Sequence, residues 1–212
     1  RTVTGVQTCA LPIFPKVDEA DKEVTAIALY DAATEQYTAF ILDREMRLQD
    51  YTSDNVSVRS FNNEESLLTH FITKWEEIQP TIATGWNIDE FDTPYLFNRI
   101  KRVLDDRSAK RLSPIQVCYR NDWNKKIVVA GISFIDYMVL YKKWNIKQEP
   151  SYALGAIGKK VVKMEKITGE RNLQQEMHLR QMILQSSILM VTYQIFQTRT
   201  LNSLQNILRT TR

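Results

Sequence analysis

The side chains of this sequence leave few routes to chemistry. His70 and His178 are its only histidines, and Cys9 and Cys118 its only cysteines. A histidine-built metal site, a Ser-His-Asp triad, a disulfide framework and a cysteine zinc site are therefore all disfavoured. Hydrolytic chemistry would fall to carboxylates. The most informative stretch runs Ala83-Thr84-Gly85-Trp86-Asn87-Ile88-Asp89-Glu90-Phe91-Asp92-Thr93-Pro94-Tyr95-Leu96. A short buried strand ends there, a loop follows, and Asp92 is delivered to the start of a helix opened by Thr93-Pro94, proline being suited to the first helical turn. A carboxylate at a strand end beside a helix N-terminus is placed to face a cleft. It can also simply cap the helix, and spacing alone weighs the two readings equally.

The elements that must position Asp92 are legible around it. Residues 24–30 and 36–42 read as two strands of an antiparallel hairpin, joined by the polar turn 31–35, and 56–61 alternates as a third strand. Asn62 offers a helix N-cap with Glu65 three residues on. Leu67, Leu68, Phe71, Ile72, Trp75 and Ile78 then recur at helical spacing, giving one apolar face up to Pro80. Residues 81–84 read as a short buried strand and 85–92 as a loop. Tyr95, Leu96, Ile100, Val103 and Leu104 form the apolar face of the next helix. Residues 107–111 and 125–126 are basic and loop-like. Residues 127–130 and 132–135 look like strands broken at Gly131, and 136–144 like a helix. Strands first, then strand and helix in alternation, predict an α/β fold with a mixed sheet. Helices 63–78 and 94–105 should pack on it, with Asp92 close to the C-terminal end of strand 81–84.

Composition sets broad limits. The 212 residues suit one domain with appendages. Apolar residues make up 43% and charged residues 25%, which fits a globular protein, and the net charge of +3 is compatible with nucleic acid without pointing to it. No apolar run approaches the roughly 18 residues of a membrane span, so no membrane partner is expected. Two segments stand apart. Residues 3–13 read V-T-G-V-Q-T-C-A-L-P-I, identical to the translation of the end of a common sequencing adapter. Residues 1–13 are therefore read as foreign to the fold, the alternative being a genuine N-terminal arm. Beyond Gly169 there is no Lys, Asp, Gly or Pro, while Gln appears seven times. Residues 169–212 are accordingly either one long polar helix or a segment translated out of frame that specifies no fold. They are expected to dock weakly.

The stretch Thr84-Gly85-Trp86-Asn87-Ile88 followed by Phe91-Asp92-Thr93-Pro94-Tyr95 resembles the second exonuclease motif of family B DNA polymerases. Residues 97–100, 107–115, 134–143 and 150–154 extend the resemblance in the right order, and the features are most like the tailed-bacteriophage branch. It covers about residues 14–168, which would make that segment a partial 3′→5′ exonuclease domain. The resemblance implies an RNase-H-like sheet flanked by helices, here incomplete. It also implies a two-ion Mg²⁺ or Mn²⁺ mechanism, in which one ion generates hydroxide and the other stabilises the leaving 3′ oxygen. By match, Asp92 is the catalytic metal ligand, Asn87 touches the DNA strand, and Phe91 lines or wedges the terminal-nucleotide pocket unless it is a core residue. Asp136 matches an acidic position and reads as a structural or supporting group rather than a ligand. The implied partners are a single-stranded DNA 3′ end and, for the intact parent, replisome proteins. The implied location is the cytoplasm of an infected bacterium.

The departures from the family pattern carry equal weight. An Asp-x-Glu pair should lie just before Phe14-Pro15, where residues 1–13 offer no carboxylate. Asp18, Glu19 and Asp21 come too late in the chain to replace it. A Tyr-x-x-x-Asp motif should lie in the tail, where Tyr193 is followed by Gln197, and an amide cannot supply the anionic oxygen that Mg²⁺ prefers. Two functions are carried forward: a fragment of a proofreading exonuclease that is itself inactive, or a catalytically inactive RNase-H-like nucleic-acid-binding module. The basic residues 101–111 and 125–126 would serve either, or would be a solvated surface. A carboxylate facing phosphate favours the first.

Overall fold

The computed structural model describes residues 16–145 and 147–161, and the backbone of 190–193. Strand β1 (Ala26–Asp31) turns back into β2 (Gln36–Leu42) with Ala26 opposite Ile41 and Asp31 opposite Gln36. The turn is tied by Asp31, whose carboxylate accepts from the Ala33 amide at 3.0 Å and from the Thr34 hydroxyl at 2.7 Å. Two further strands, β3 (Tyr51–Thr52) and β4 (Val56–Phe61), follow; β4 runs parallel to β2 and antiparallel to β3. Helix α1 (Glu64–Ile78) is capped by Asn63, whose side chain accepts from the Ser66 amide. The cap is thus one residue later than the sequence suggested, because Glu64 is drawn inward.

Strand β5 (Ile82–Gly85) leads into the loop before α2 (Thr93–Val103). A short helix α3 (Asp106–Lys110) occupies the first basic stretch expected to be loop. Asp105 caps it, accepting from the Ser108 amide. Strands β6 (Cys118–Arg120) and β7 (Ile127–Val129) form a separate hairpin that places Lys125 and Lys126 by its tip. The chain changes sheets at Gly131, whose φ is +90° and whose missing Cβ would lie 2.7 Å from the Pro114 ring. Strand β8 (Ser133–Asp136) then pairs parallel with β5, and α4 (Tyr137–Trp144) and α5 (Leu154–Val161) follow. A last strand, β9 (Met190–Tyr193), lies between β1 and β5, antiparallel to the former and parallel to the latter. The main sheet is therefore seven-stranded and mixed, in the order β3-β4-β2-β1-β9-β5-β8.

The expectation of a weakly docking helix or a foldless tail beyond Gly169 falls mostly outside the described residues; at Met190–Tyr193 the backbone is a central strand. The edges of β1 and β5 present backbone donors and acceptors that need partners once buried, and Val191, Thr192 and Tyr193 are good strand formers. Residues 1–13, with their expected lack of core contacts, and Gln197 lie outside the described residues.

The apolar faces meet in one core. Ile27, Leu29, Phe40 and Leu42 of the sheet join Leu67, Leu68, Phe71, Ile72 and Trp75 of α1 and Tyr95, Leu96 and Ile100 of α2. One ion pair is buried at the edge of this core. Arg99 donates from Nε and Nη2 to the two carboxylate oxygens of Glu64, at 2.8 and 2.5 Å, and from Nη1 to the carbonyl of Ala20 at 2.8 Å. Glu64 also accepts from the Val24 amide at 2.8 Å. Removing one partner of such a pair leaves an uncompensated buried charge. Arg99→Ala should therefore cost about 3–5 kcal/mol of unfolding free energy in urea titrations, with Arg99→Lys in between because it keeps the charge and loses the fork. A loss within about 0.5 kcal/mol, as for an ordinary surface substitution, would show that the pair does not hold the helices to the chain entering β1.

Candidate functional site

Parallel pairing of β5 and β8 sets Gly85 opposite Asp136, so both strands end at one edge of the sheet. From this edge Trp86 and Asn87 lead into a single π-helical turn, Ile88–Asp92, which continues directly into α2. This turn replaces the irregular loop expected from the sequence. Asn87 has φ 66° and ψ 27°, a left-handed conformation that asparagine tolerates better than most residues. Its carbonyl accepts from the Phe91 amide at 3.1 Å. Ile88 is buried and pins the turn to the core. Trp86 is fixed from the other side, its indole N–H donating to the Tyr152 carbonyl at 3.0 Å.

Asp92 is buried at 8% exposure and makes no helix-capping hydrogen bond. Among the described residues it has no ion pair. The capping reading of Asp92 therefore fails, yet the side chain does not stand in an open cleft either. It lines a hollow of about 20 Å³ together with Phe71, Trp75, Ile88, Leu96, Leu112 and Phe134, room for little more than one water. Burial first, and the charge of Asp136 second, push the Asp92 carboxyl up to about 8. Both favour the neutral form.

Asp136, also buried, is bonded from two directions. Its carboxylate accepts from the amides of Met138 (2.8 Å) and Val139 (3.3 Å), capping α4, and from those of Asn87 (3.1 Å) and Asp89 (3.3 Å) across the strand edge. Phe91 is half-buried against the core and stacked on Tyr95, with centroids 5.6 Å apart and planes 19° from parallel. Asn87 is half-exposed.

The structure thus brings Asn87, Phe91, Asp92 and Asp136 together. It adds a contact with no signal in the residue spacing: Lys126 of the β6–β7 hairpin reaches Asp89 at 2.7 Å and Glu90 at 3.5 Å. Much of the basic stretch is engaged locally. Lys101 and Lys110 both pair with Asp106, and Arg111 pairs with Glu76. Among the described residues no group of three or more His, Cys, Asp or Glu side chains could hold a metal ion. No helix among them is long and apolar enough to cross a membrane.

Comparison with known proteins gives a consistent picture. A family model described as "DNA polymerase family B, exonuclease domain" matches residues 6–157, so the match begins inside the head segment read as foreign. The DNA-directed DNA polymerase of Enterobacteria phage T4 is 30% identical over 198 residues, covering 79% of this chain and 22% of that protein. The corresponding polymerase of Escherichia phage RB69 is 32% identical over 171 residues, covering 68% of this chain and 19% of that protein. The DNA polymerase delta catalytic subunit of Bos taurus is 30% identical over 113 residues. The chain thus spans about a fifth of the length of the phage relatives.

The buried carboxyl has a measurable consequence. Asp92 keeps its proton in the folded chain up to about pH 8, whereas an ordinary Asp releases it near 3.8. Between those values the folded state binds the extra proton, so stability falls as pH rises, by about 1.4 kcal/mol per pH unit for a fully coupled group. In metal-free buffer, Asp92→Asn should lose less stability than the parent chain between pH 5 and pH 8 in denaturant titrations. Equal losses in the two proteins would mean that Asp92 is not held neutral.

Proposed function

Because the chain belongs to the family B DNA polymerase exonuclease-domain family, we propose that it is part of the proofreading module of a phage-type replicative polymerase. The parent activity on this reading is metal-dependent hydrolysis of 3′-terminal nucleotides from single-stranded DNA ends, with DNA synthesis carried out elsewhere in the longer protein alongside its replisome partners. The mixed sheet, with α1 and α2 packed on it, is consistent with an RNase-H-like fold.

The observation that carries the reading is the path of the chain from Gly85 to Tyr95. A strand ends, Asn87 turns left-handed, and a π-helical turn delivers Asp92 to the head of α2. That path uses the residues on which the family resemblance rests. In this assignment Asp92 is the metal-ligating carboxylate, Asn87 contacts the DNA strand, and Phe91 shapes the place of the terminal base from its stack on Tyr95.

The carboxylates of the described residues do not by themselves fit a two-ion site. Asp92 has only Asp136 beside it, and Asp136 already accepts three amides on Oδ1 and one on Oδ2. Mg²⁺ gives up its waters reluctantly and needs several anionic oxygens. The head segment contributes no carboxylate, and the tail places Gln197 where the family pattern has an aspartate. This shortage is the specific observation behind the second reading, a nucleic-acid-binding module without catalysis.

The 212-residue chain should accordingly show no 3′→5′ exonuclease activity on single-stranded DNA above background with Mg²⁺ or Mn²⁺. A version rebuilt with an Asp-x-Glu segment before Phe14 and a Tyr-x-x-x-Asp segment in the tail should digest such DNA, and Asp92→Ala in that version should abolish digestion. Digestion by the unrepaired chain that is lost on Asp92→Ala would overturn the ligand count. A rebuilt protein that stays inert while binding DNA would favour the second reading.

A further inference from the structure

Resting on the reading that the Trp86–Asp92 segment meets DNA, we propose that Asp136 is a positioning residue. Its carboxylate is the internal anion around which that segment folds, and it sets Asn87 directly and Asp92 through the π-helical turn.

The geometry separates this role from helix capping. Capping α4 uses only the bonds from Met138 and Val139. The other two bonds come from Asn87 and Asp89, 49 and 47 residues earlier in the chain, and have no bearing on α4. They account for the backbone of Asn87. A left-handed residue followed by a helical turn makes successive N–H groups converge on one point, a concavity that binds anions, and the point is occupied by Asp136. Because the Asn87 carbonyl in turn accepts from the Phe91 amide, the grip on Asn87 fixes the start of the turn that ends at Asp92.

The choice of residue is informative. Serine or threonine would cap α4 equally well, without setting a second negative charge beside the buried Asp92. An aspartate here carries that electrostatic cost and holds both the helix and the loop. Three amides, from Asn87, Met138 and Val139, converge on Oδ1, so a single oxygen joins the loop to the head of α4, while Oδ2 accepts from the Asp89 amide at 3.3 Å.

The test uses the full 212-residue chain with Asp136→Ser, Asp136→Asn and Asp136→Ala. The readouts are amide hydrogen exchange, thermal midpoint and affinity for a short oligothymidylate with a free 3′ hydroxyl. Serine can cap α4 but is too short to reach the loop. Asp136→Ser should therefore keep Met138 and Val139 protected and the midpoint near that of the parent. Its Asn87 and Asp89 amides should exchange about tenfold faster, and it should bind the oligonucleotide about tenfold more weakly, the effect of losing roughly 1.4 kcal/mol. Asp136→Asn can keep its oxygen on the Asn87, Met138 and Val139 amides but sets an NH2 against the Asp89 amide, so Asn87 should stay protected, Asp89 alone should exchange faster, and affinity should stay close to the parent. Should Asp136→Ala fail to fold, the serine and asparagine variants decide alone. A serine variant with protected loop amides and parental affinity would reduce Asp136 to a helix cap and overturn the proposal. Failure of the unaltered chain to bind the oligonucleotide would count against the proposed function instead, and exchange at Asn87 and Asp89 would then decide the role of Asp136.

Discussion

The arrangement depends on where α2 sits, and α2 is located by a charge that cannot be left alone. Arg99 lies on the inner side of that helix, out of water, where an unpaired guanidinium would be very costly. Its fork is satisfied by Glu64 at the start of α1, and its third donor by the Ala20 carbonyl. Glu64 completes its own set with the Val24 amide at the entrance to β1. One cluster therefore ties two helices to the chain entering β1, and its hydrogen-bond geometry tolerates only small displacements. Apolar packing around it, from Leu67 to Ile100, supplies most of the stabilisation but is less directional. The ion pair adds direction to that packing, because its bonds join the inner side of α2 to the first turn of α1.

The second constraint comes from the sheet. Parallel strands β5 and β8 finish together, so whatever follows each of them meets at that edge. After β5 comes the turn bearing Asn87 and Asp92; after β8 comes Asp136 and the start of α4. Two carboxylates, Asp92 and Asp136, are thereby brought near one another from positions 44 apart in sequence. Between β1 and β5 the backbone demands a partner on both sides, and four residues of a compositionally unusual tail supply it.

How much of this was legible in the sequence follows from the range of each interaction. Helix α1 was clear because its apolar residues repeat every three or four positions, and β1 and β2 because a polar turn separates two β-rich runs. The cap of α1 was displaced by one residue because Glu64, which reads as an ordinary first-turn acid, is needed 35 residues away by Arg99. Residues 107–111 read as loop because their charges dominate, yet Asp105 caps a short helix there and Asp106 neutralises Lys101 and Lys110. The β6–β7 hairpin was half visible: Ile127–Val129 reads as a strand, but nothing local announces that its partner is Cys118–Arg120 rather than the main sheet. At the site, the spacing put Asp92 between the end of a strand and the start of a helix, which is where the backbone carries it. It could not show that Asp92 would be buried, that Asp136 would gather the loop amides, or that Lys126 would reach Asp89. Each of those is a contact between segments far apart in the chain, and no spacing rule encodes it.

The burial of Asp92 bears on what the site can be. Low exposure and the neighbouring charge of Asp136 both work against its ionisation, and its walls are mainly apolar side chains. Such a carboxyl is expensive to keep charged unless a cation comes close, and a divalent cation is the strongest local charge a protein can recruit to reverse that balance. A group that merely capped a helix would need neither burial nor a second acid nearby, and Asp105, which does cap α3, is exposed. The contrast between the two aspartates, each at the head of a helix, separates ordinary capping from a carboxyl held back from water.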